Sequence, residues 1–161
     1  MLVRMTAQDF IQRALWRQPG PSIRWDPEYY YFQSEPPQQL ERIILDSQIS
    51  AVQPQNLILR VTAEQSVHGL HYDKYATGLV QLAGHKQIKL ISRAKFDLVQ
   101  YVPHGIFARR SSLDLQDEKT AQALDALTVD IKAGDVLLFP PQVGHESRAI
   151  TDGTTVSFWY T

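Results

Sequence analysis

Not one of the 161 residues is a cysteine. That absence removes disulfide frameworks, thiolate zinc sites, iron–sulfur clusters and cysteine nucleophiles together, so any metal must be held by His, Asp or Glu. An excess of one charge is also lacking. With 16 basic and 17 acidic side chains the formal net charge is −1, which supplies no field to draw in nucleic acid or anionic lipid, although the pair Arg109 and Arg110 makes a short basic patch. Long apolar runs are missing as well. Nowhere do roughly 18 consecutive apolar residues occur, as a membrane-spanning helix needs. The first ten residues carry Arg4 and Asp9 in place of the apolar stretch of a signal peptide. A cytoplasmic protein is therefore expected, with a small-molecule or peptide substrate and neither a nucleic-acid nor a membrane partner. What the sequence does have is a 43% hydrophobic composition, enough to bury one core at this length, and five histidines that become the candidates for chemistry.

The opening segment predicts a short amphipathic helix. Thr6 caps it, Asp9 follows three residues later, and Phe10, Ile11, Ala14 and Leu15 share a face before Pro19, Gly20 and Pro21 end it. Residues 22–25 and 29–32 read as extended, turning at Asp26 and Pro27. A second helix is expected after Pro36 and Pro37, with Leu40, Ile43, Ile44 and Ile49 as an uneven apolar stripe. From Asn56 the pattern changes to short strands over 57–61, 67–73, 78–83 and 86–91, the last two joined as a hairpin through Gly84 and His85. Two more hairpins are expected: 127–131 with 136–139, and 147–150 with 154–160 through Asp152 and Gly153. Many short antiparallel strands predict a mainly β sandwich or small barrel with a ligand-holding interior. Between residues 96 and 126 the regularity lapses into an insert with a helix around 120–127, of a length that usually has a function. No repeat or linker divides the chain, so residues 1–161 read as one domain, a helical lead-in over 1–50 and a barrel core over 51–161.

His71-Tyr72-Asp73 is the first chemical signal. Side chains alternate across a strand, so His71 and Asp73 point to one face and can reach a single metal while Tyr72 points away. Taken alone, the pair is equally explained by a satisfied histidine and a surface aspartate. A second histidine on a distant strand would complete a 2-His-1-carboxylate triad, which leaves three adjacent positions open on non-haem Fe(II). His145, delivered after the strand 136–139 and the rigid corner Pro140-Pro141, is placed for that role; a turn histidine is the other reading. Lys86 is the third piece. It shares a strand face with Ile88 and Leu90, whereas Gln87, Lys89 and Ile91 take the other. An ammonium group on an apolar inner face is costly unless an anion meets it or its stem snorkels to the rim. A dicarboxylate lying between the metal and Lys86 would be such an anion. His68, by parity, faces away from His71 and is not counted as a ligand; His85 in a turn and His104 in the insert read as solvated.

Several stretches carry a resemblance: Asn56-Leu57-Ile58-Leu59, Val67-His68-Gly69-Leu70-His71-Tyr72-Asp73, Gln81-Leu82-Ala83-Gly84-His85-Lys86-Gln87-Ile88-Lys89-Leu90, Ser111-Ser112-Leu113-Asp114-Leu115, Gly134-Asp135-Val136-Leu137-Leu138-Phe139-Pro140 with His145-Glu146-Ser147, and Val156-Ser157-Phe158-Trp159-Tyr160. In order and spacing they resemble the cupin-like JmjC family of Fe(II)- and 2-oxoglutarate-dependent oxygenases, especially the branch of the factor-inhibiting asparaginyl hydroxylase. Upstream, Phe10 and Tyr31-Phe32-Gln33-Ser34 look like that family's approach to its barrel. The resemblance implies a double-stranded β-helix, that is, a jelly-roll or cupin barrel, with N-terminal helices. It implies His71, Asp73 and His145 as the catalytic iron ligands, and Lys86 and Tyr31 as partners of the distal carboxylate of 2-oxoglutarate.

Thr77 and Ser157 stand where the hydroxylase branch has asparagines near the cosubstrate, with a hydroxyl satisfied by backbone as the other reading. His68 stands where that branch commonly has a threonine. The activity implied is hydroxylation by O2 of a C–H on an amino acid, a peptide or protein side chain, or a natural-product precursor, with release of succinate and CO2. Desaturation or demethylation would need only a different substrate pose. The alternative is a metal-binding cupin without oxygenase chemistry, an isomerase or a ligand-binding module. Tyr101, Phe107, Arg109 and Arg110 of the insert are expected to cover the barrel mouth. The helices through which the hydroxylase branch pairs are not in the sequence, which leaves the oligomeric state open.

Overall fold

The computed structural model describes residues 31–46, 55–105 and 107–160. The helix expected at the start of the chain, the extended stretch 22–25 and Ile49 lie outside them. In chain order the elements are β1 (Tyr31–Ser34), α1 (Gln38–Asp46), β2 (Gln55–Thr62), β3 (Val67–Tyr72), β4 (Ala76–Ala83), β5 (His85–Ile91), a 3-10 turn (Arg93–Lys95), α2 (Phe96–Val99), α3 (Glu118–Ala123), β6 (Leu127–Lys132), β7 (Val136–Phe139), β8 (Gly144–Ala149) and β9 (Gly153–Tyr160).

The strands form two antiparallel sheets, one in the order β1-β2-β9-β4-β7 and the other in the order β3-β8-β5-β6. Apart from β5 and β6, which pair within one sheet, successive strands from β2 onward cross from one sheet to the other: β2 to β3, β4 to β5, β6 to β7 and β8 to β9 all change layer. The result is the expected jelly-roll, or cupin, double-stranded β-helix.

The same crossings overturn three local expectations. None of the pairs β4–β5, β6–β7 and β8–β9 is a hairpin; each short loop is a corner between layers, and pairing is made with strands far away in sequence. Turn chemistry reverses the chain in both cases, so glycine with positive φ (Gly84 at +78°, Gly134 at +96°) does not tell a hairpin from a corner. At Gly84 there is a second constraint: a Cβ would lie 2.2 Å from the Asp152 carbonyl oxygen, because the β4–β5 and β8–β9 corners stack.

Each sheet is covered over part of its outer face, while β6 and β7 leave Leu127, Val136 and Leu138 exposed. On the outer face of the five-stranded sheet Val80, Val156 and Phe158 pack with Ile44 of α1, and Leu40, Leu57, Leu59 and Tyr160 close around them. Leu40 and Ile44 are one helical turn apart, which is what places them on one face; Ile43, expected in the same stripe, is 66% exposed.

The outer face of the four-stranded sheet carries Leu70 and Ile91, and it is covered by Val99, Leu115 and Leu124 of the insert. At roughly 1.5–3 kcal/mol per buried aliphatic side chain, this layer is a substantial part of the core. Polar pins fix it. Lys89 donates from Nζ to the Leu115 carbonyl at 2.7 Å and to Glu118 at 2.9 Å, while Glu146 accepts from the Leu115 amide at 3.2 Å and from Gln116 Nε2 at 2.7 Å. Val99, Leu115 and Leu124 of the insert thus back a sheet, while residues 109–111 run along the edge of β3 with Arg110 opposite His71, and Lys89, on the polar side by alternation, is buried beneath the insert. The helix expected around 120–127 is α3, shifted toward the N-terminus because Asp117 caps it by accepting from the Thr120 amide at 3.1 Å and Leu127 is taken by β6.

Candidate metal and anion site

Between the sheets lies a polar chamber, and a bulge in β3 shapes its wall. Val67 and His68 pair with Arg148 and Ser147, whereas His71 and Tyr72 pair with His145 and Gly144. Gly69 and Leu70 therefore share the single opposing residue Glu146, and the extra residue returns His68 to the same side as His71. Their rings lie 4.3 Å apart between centroids. The parity argument that turned His68 away fails for this reason: it assumed an unbroken strand. On the other face Tyr72 stacks edge-on against Phe96 and Tyr101, as alternation requires.

His71, Asp73 and His145 converge, with one ligand atom from each lying within 4.8 Å of the others, and no other such cluster occurs among the described residues. His145 Nε2 is 3.8 Å from Asp73 Oδ2, and the two imidazole rings are 4.1 Å apart. Both rings are oriented in the same way. His71 Nδ1 lies 2.9 Å from the Gly69 carbonyl and His145 Nδ1 3.1 Å from that of Val143, each two residues upstream. A carbonyl oxygen only accepts, so Nδ1 carries the proton and the Nε2 lone pair is presented to the cluster.

Electrostatics favour the ligating forms. Burial, then the neighbouring His145, brings His71 down to about 3. Burial lowers His145 too, against the opposing pull of Asp73. Burial opposes ionisation of Asp73, but His145 together with hydrogen bonds from Trp159 and Thr77 keeps its carboxyl below the usual range. Two neutral imidazoles and a carboxylate from two strands and a strand end would supply one face of a six-coordinate centre if a divalent metal were bound.

The chamber's other end is cationic. Lys86, 6% exposed, donates to Thr155 Oγ1 at 2.8 Å, and Thr155 donates to Gln81 Oε1 at 2.7 Å. Burial, and secondly Arg60, lowers Lys86 to about 8. Arg60 of β2 donates from Nη1 to Ser157 Oγ, its guanidinium 6.0 Å from the centre of the Trp159 ring. Arg60 was missed in the sequence, although the signal that found Lys86 applies to it: in Leu57-Ile58-Leu59-Arg60-Val61 it stands on the face of Ile58, within an otherwise apolar strand.

Of the remaining candidates, Thr77 donates to Asp73 Oδ2 at 3.0 Å and so braces a ligand. Ser157 meets Arg60. The backbone of Tyr31 pairs with Thr62, and its side chain lies outside the described residues. His85 bonds Asp130 at 2.9 Å in an exposed position, and His104 is exposed in its loop.

The family model for the cupin-like domain matches residues 2–161. The chain belongs to the cupin-like domain family. This cupin-like domain is also similar to the lysine-specific demethylase JMJ30 of Arabidopsis thaliana, 29% identical over 100 residues, or 59% of this chain and 23% of that protein. It thus spans about a quarter of the length of the curated relative it matches. Among solved structures, the ribosomal oxygenase YcfD of Escherichia coli in complex with cobalt and 2-oxoglutarate aligns at 14% identity and a TM-score of 0.49, covering 76% of this chain and 28% of that one. A cupin superfamily protein from Desulfitobacterium hafniense DCB-2 aligns at 12% identity and a TM-score of 0.46, covering 83% and 79%. The strand order described above defines the fold independently of these likenesses. No helix of the described residues is long and apolar enough to cross a membrane.

Proposed function

We propose that this cupin-like domain is an Fe(II)- and 2-oxoglutarate-dependent oxygenase that hydroxylates a C–H of an amino acid, a peptide or protein side chain, or a natural-product precursor. The observation that carries the reading is the pairing, in one chamber, of the His71, Asp73 and His145 cluster with the buried ammonium of Lys86. The residues fit the groups they would hold. Nε2 atoms and a carboxylate suit a divalent iron, and a buried cation that burial alone disfavours suits a dicarboxylate. A metal-binding barrel without oxygenase chemistry would use the cluster and leave Lys86 a cost without return. Likeness to a demethylase adds support from sequence.

When bound, iron and 2-oxoglutarate supply the oxidising chemistry: one oxygen atom of O2 enters the substrate as hydroxyl, and the other enters succinate as CO2 leaves. The chain's own residues bind and orient. The Gly69 and Val143 carbonyls fix the imidazole rings, and Thr77 with Trp159 fixes the Asp73 carboxylate. Phe139, buried and 4.8 Å from the His145 ring, walls the cluster on one side. Lys86 meets the cosubstrate's far end and so sets which end faces the metal. We assign the protein to the cytoplasm, with a small molecule or peptide as substrate.

The test is succinate formation from 2-oxoglutarate by purified protein supplied with Fe(II) in air. Turnover by wild type and none by His71→Ala is expected. Equal turnover by His71→Ala, or no binding of 2-oxoglutarate by wild type, would sink the reading.

A further inference from the structure

We propose that Arg60 is a second anchor for the distal carboxylate of the cosubstrate, closing with Lys86 as a two-cation clamp; this rests on the oxygenase reading above. The inward face of β9 presents Thr155, Ser157 and Trp159 in file, alternate residues spaced by roughly 7 Å. Each is tied to one part of the chamber. Thr155 accepts from Lys86, Ser157 accepts from Arg60, and Trp159 bonds the metal-cluster residue Asp73. Along that file Arg60 therefore stands between the cluster and Lys86. A five-carbon keto diacid whose keto-acid end met the cluster would run along this file toward Ser157 and Thr155, where the two cations stand.

The two cations differ in what they offer. The Lys86 ammonium is a point charge, whereas a guanidinium presents a planar fork that matches a carboxylate edge. Arg60 is held for that task by its bond to Ser157 and by the Trp159 ring. Lys86 is buried and Arg60 half-buried, and the charge of Arg60 works against that of Lys86; an anion between them would reconcile the two. The clamp also gives Ser157 a role distinct from a direct cosubstrate contact: it positions the fork.

The experiment compares two keto acids on Co(II)-loaded protein by titration calorimetry: 2-oxoglutarate, and 2-oxobutyrate, which lacks the distal carboxylate. Arg60→Met should weaken 2-oxoglutarate binding about 10- to 100-fold, the range for losing one charge-assisted hydrogen bond, and leave 2-oxobutyrate and Co(II) affinities unchanged. Arg60→Lys should recover part of the loss, and if Arg60→Met does not fold, this variant must still show a reduced preference for 2-oxoglutarate over 2-oxobutyrate. Wild-type 2-oxoglutarate affinity in Arg60→Met, or equal loss of both keto acids, overturns the clamp and leaves the oxygenase reading standing. Binding of neither keto acid by wild type overturns both.

Discussion

Lys86 should cost the metal-free protein stability, and the cost can be worked out. Its ammonium is 6% exposed and bonded to one neutral hydroxyl, so burial, with Arg60 second, takes it from 10.5 to about 8. At about 1.4 kcal/mol per pKa unit that fall is a penalty of about 3 kcal/mol on the folded, charged form. Lys86→Met keeps the apolar stem and removes the charge. It forfeits one hydrogen bond, worth about 1 kcal/mol, and strands no donor, because Thr155 still donates to Gln81. Metal-free Lys86→Met should therefore be about 2 kcal/mol more stable than wild type at neutral pH, read as a higher urea midpoint and a Tm raised by about 5 °C.

The sign with pH follows from proton counts. Between about 8 and 10.5 the unfolded chain binds more protons at this lysine than the folded one, so wild type gains stability as pH rises through that window, and the penalty is present in full below it. The gap between variant and wild type should thus be constant up to about pH 8 and close above it; other titrating groups cancel in the difference. A wild type at least as stable as Lys86→Met at neutral pH, with parallel profiles into alkali, would refute the argument. The same variant should lose the thermal stabilisation that 2-oxoglutarate gives the metal-loaded wild type.

Thr77→Val removes the hydroxyl that braces Asp73 and should weaken Co(II) affinity about 10- to 100-fold with little change in Tm; equal metal affinity would return Thr77 to a cosubstrate role. Gly78→Ala places a Cβ 2.1 Å from Phe158 Cζ and should destabilise the fold by about 1–3 kcal/mol through overpacking, so an unchanged Tm would contradict the packing described. Metal binding needs neutral imidazoles, and burial lowers both His71 and His145; Co(II) affinity should therefore hold from about pH 7 down to about pH 5, where a solvated histidine pair would already have lost it to protons.

His71, Asp73 and Lys86 were legible in the sequence because each depends on a local rule. Residues two apart on a strand share a face, which brought His71 and Asp73 together, and the even positions of β5 placed Lys86 beside Ile88. His145 needed more, namely a distant strand in register, and its identification rested on motif order more than on geometry. Arg60 obeys the same alternation as Lys86, standing on the face of Ile58 within an otherwise apolar strand.

What the local rules did not reach was the third dimension of the turns and the insert. A glycine that reverses the chain serves a hairpin and a corner equally, so the three supposed hairpins differ from the real corners only in which distant strands compete for their edges. The insert's apolar residues, Val99, Leu115 and Leu124, carry no strand or helix period over their whole span, yet Ile91 and Leu70 leave an outer face that must be covered. Alternation on β5 places Ile91 on that face together with Gln87 and Lys89. Only the paired carbonyl of Leu115 and carboxylate of Glu118 make a buried lysine tolerable there.

The bulge is the clearest case, because one extra residue decides what the chamber contains. With an unbroken β3, His68 would face the insert and the chamber wall beside His71 would be apolar. With Gly69 and Leu70 sharing Glu146, the same sequence puts a third imidazole against the metal cluster while Leu70 still fills the outer core. Glycine at the bulge has open space where its Cβ would be, so crowding does not demand it there. The Gly69 carbonyl that the bulge turns inward is the one that orients His71. The device that defeated the parity argument is therefore the device that builds the metal site.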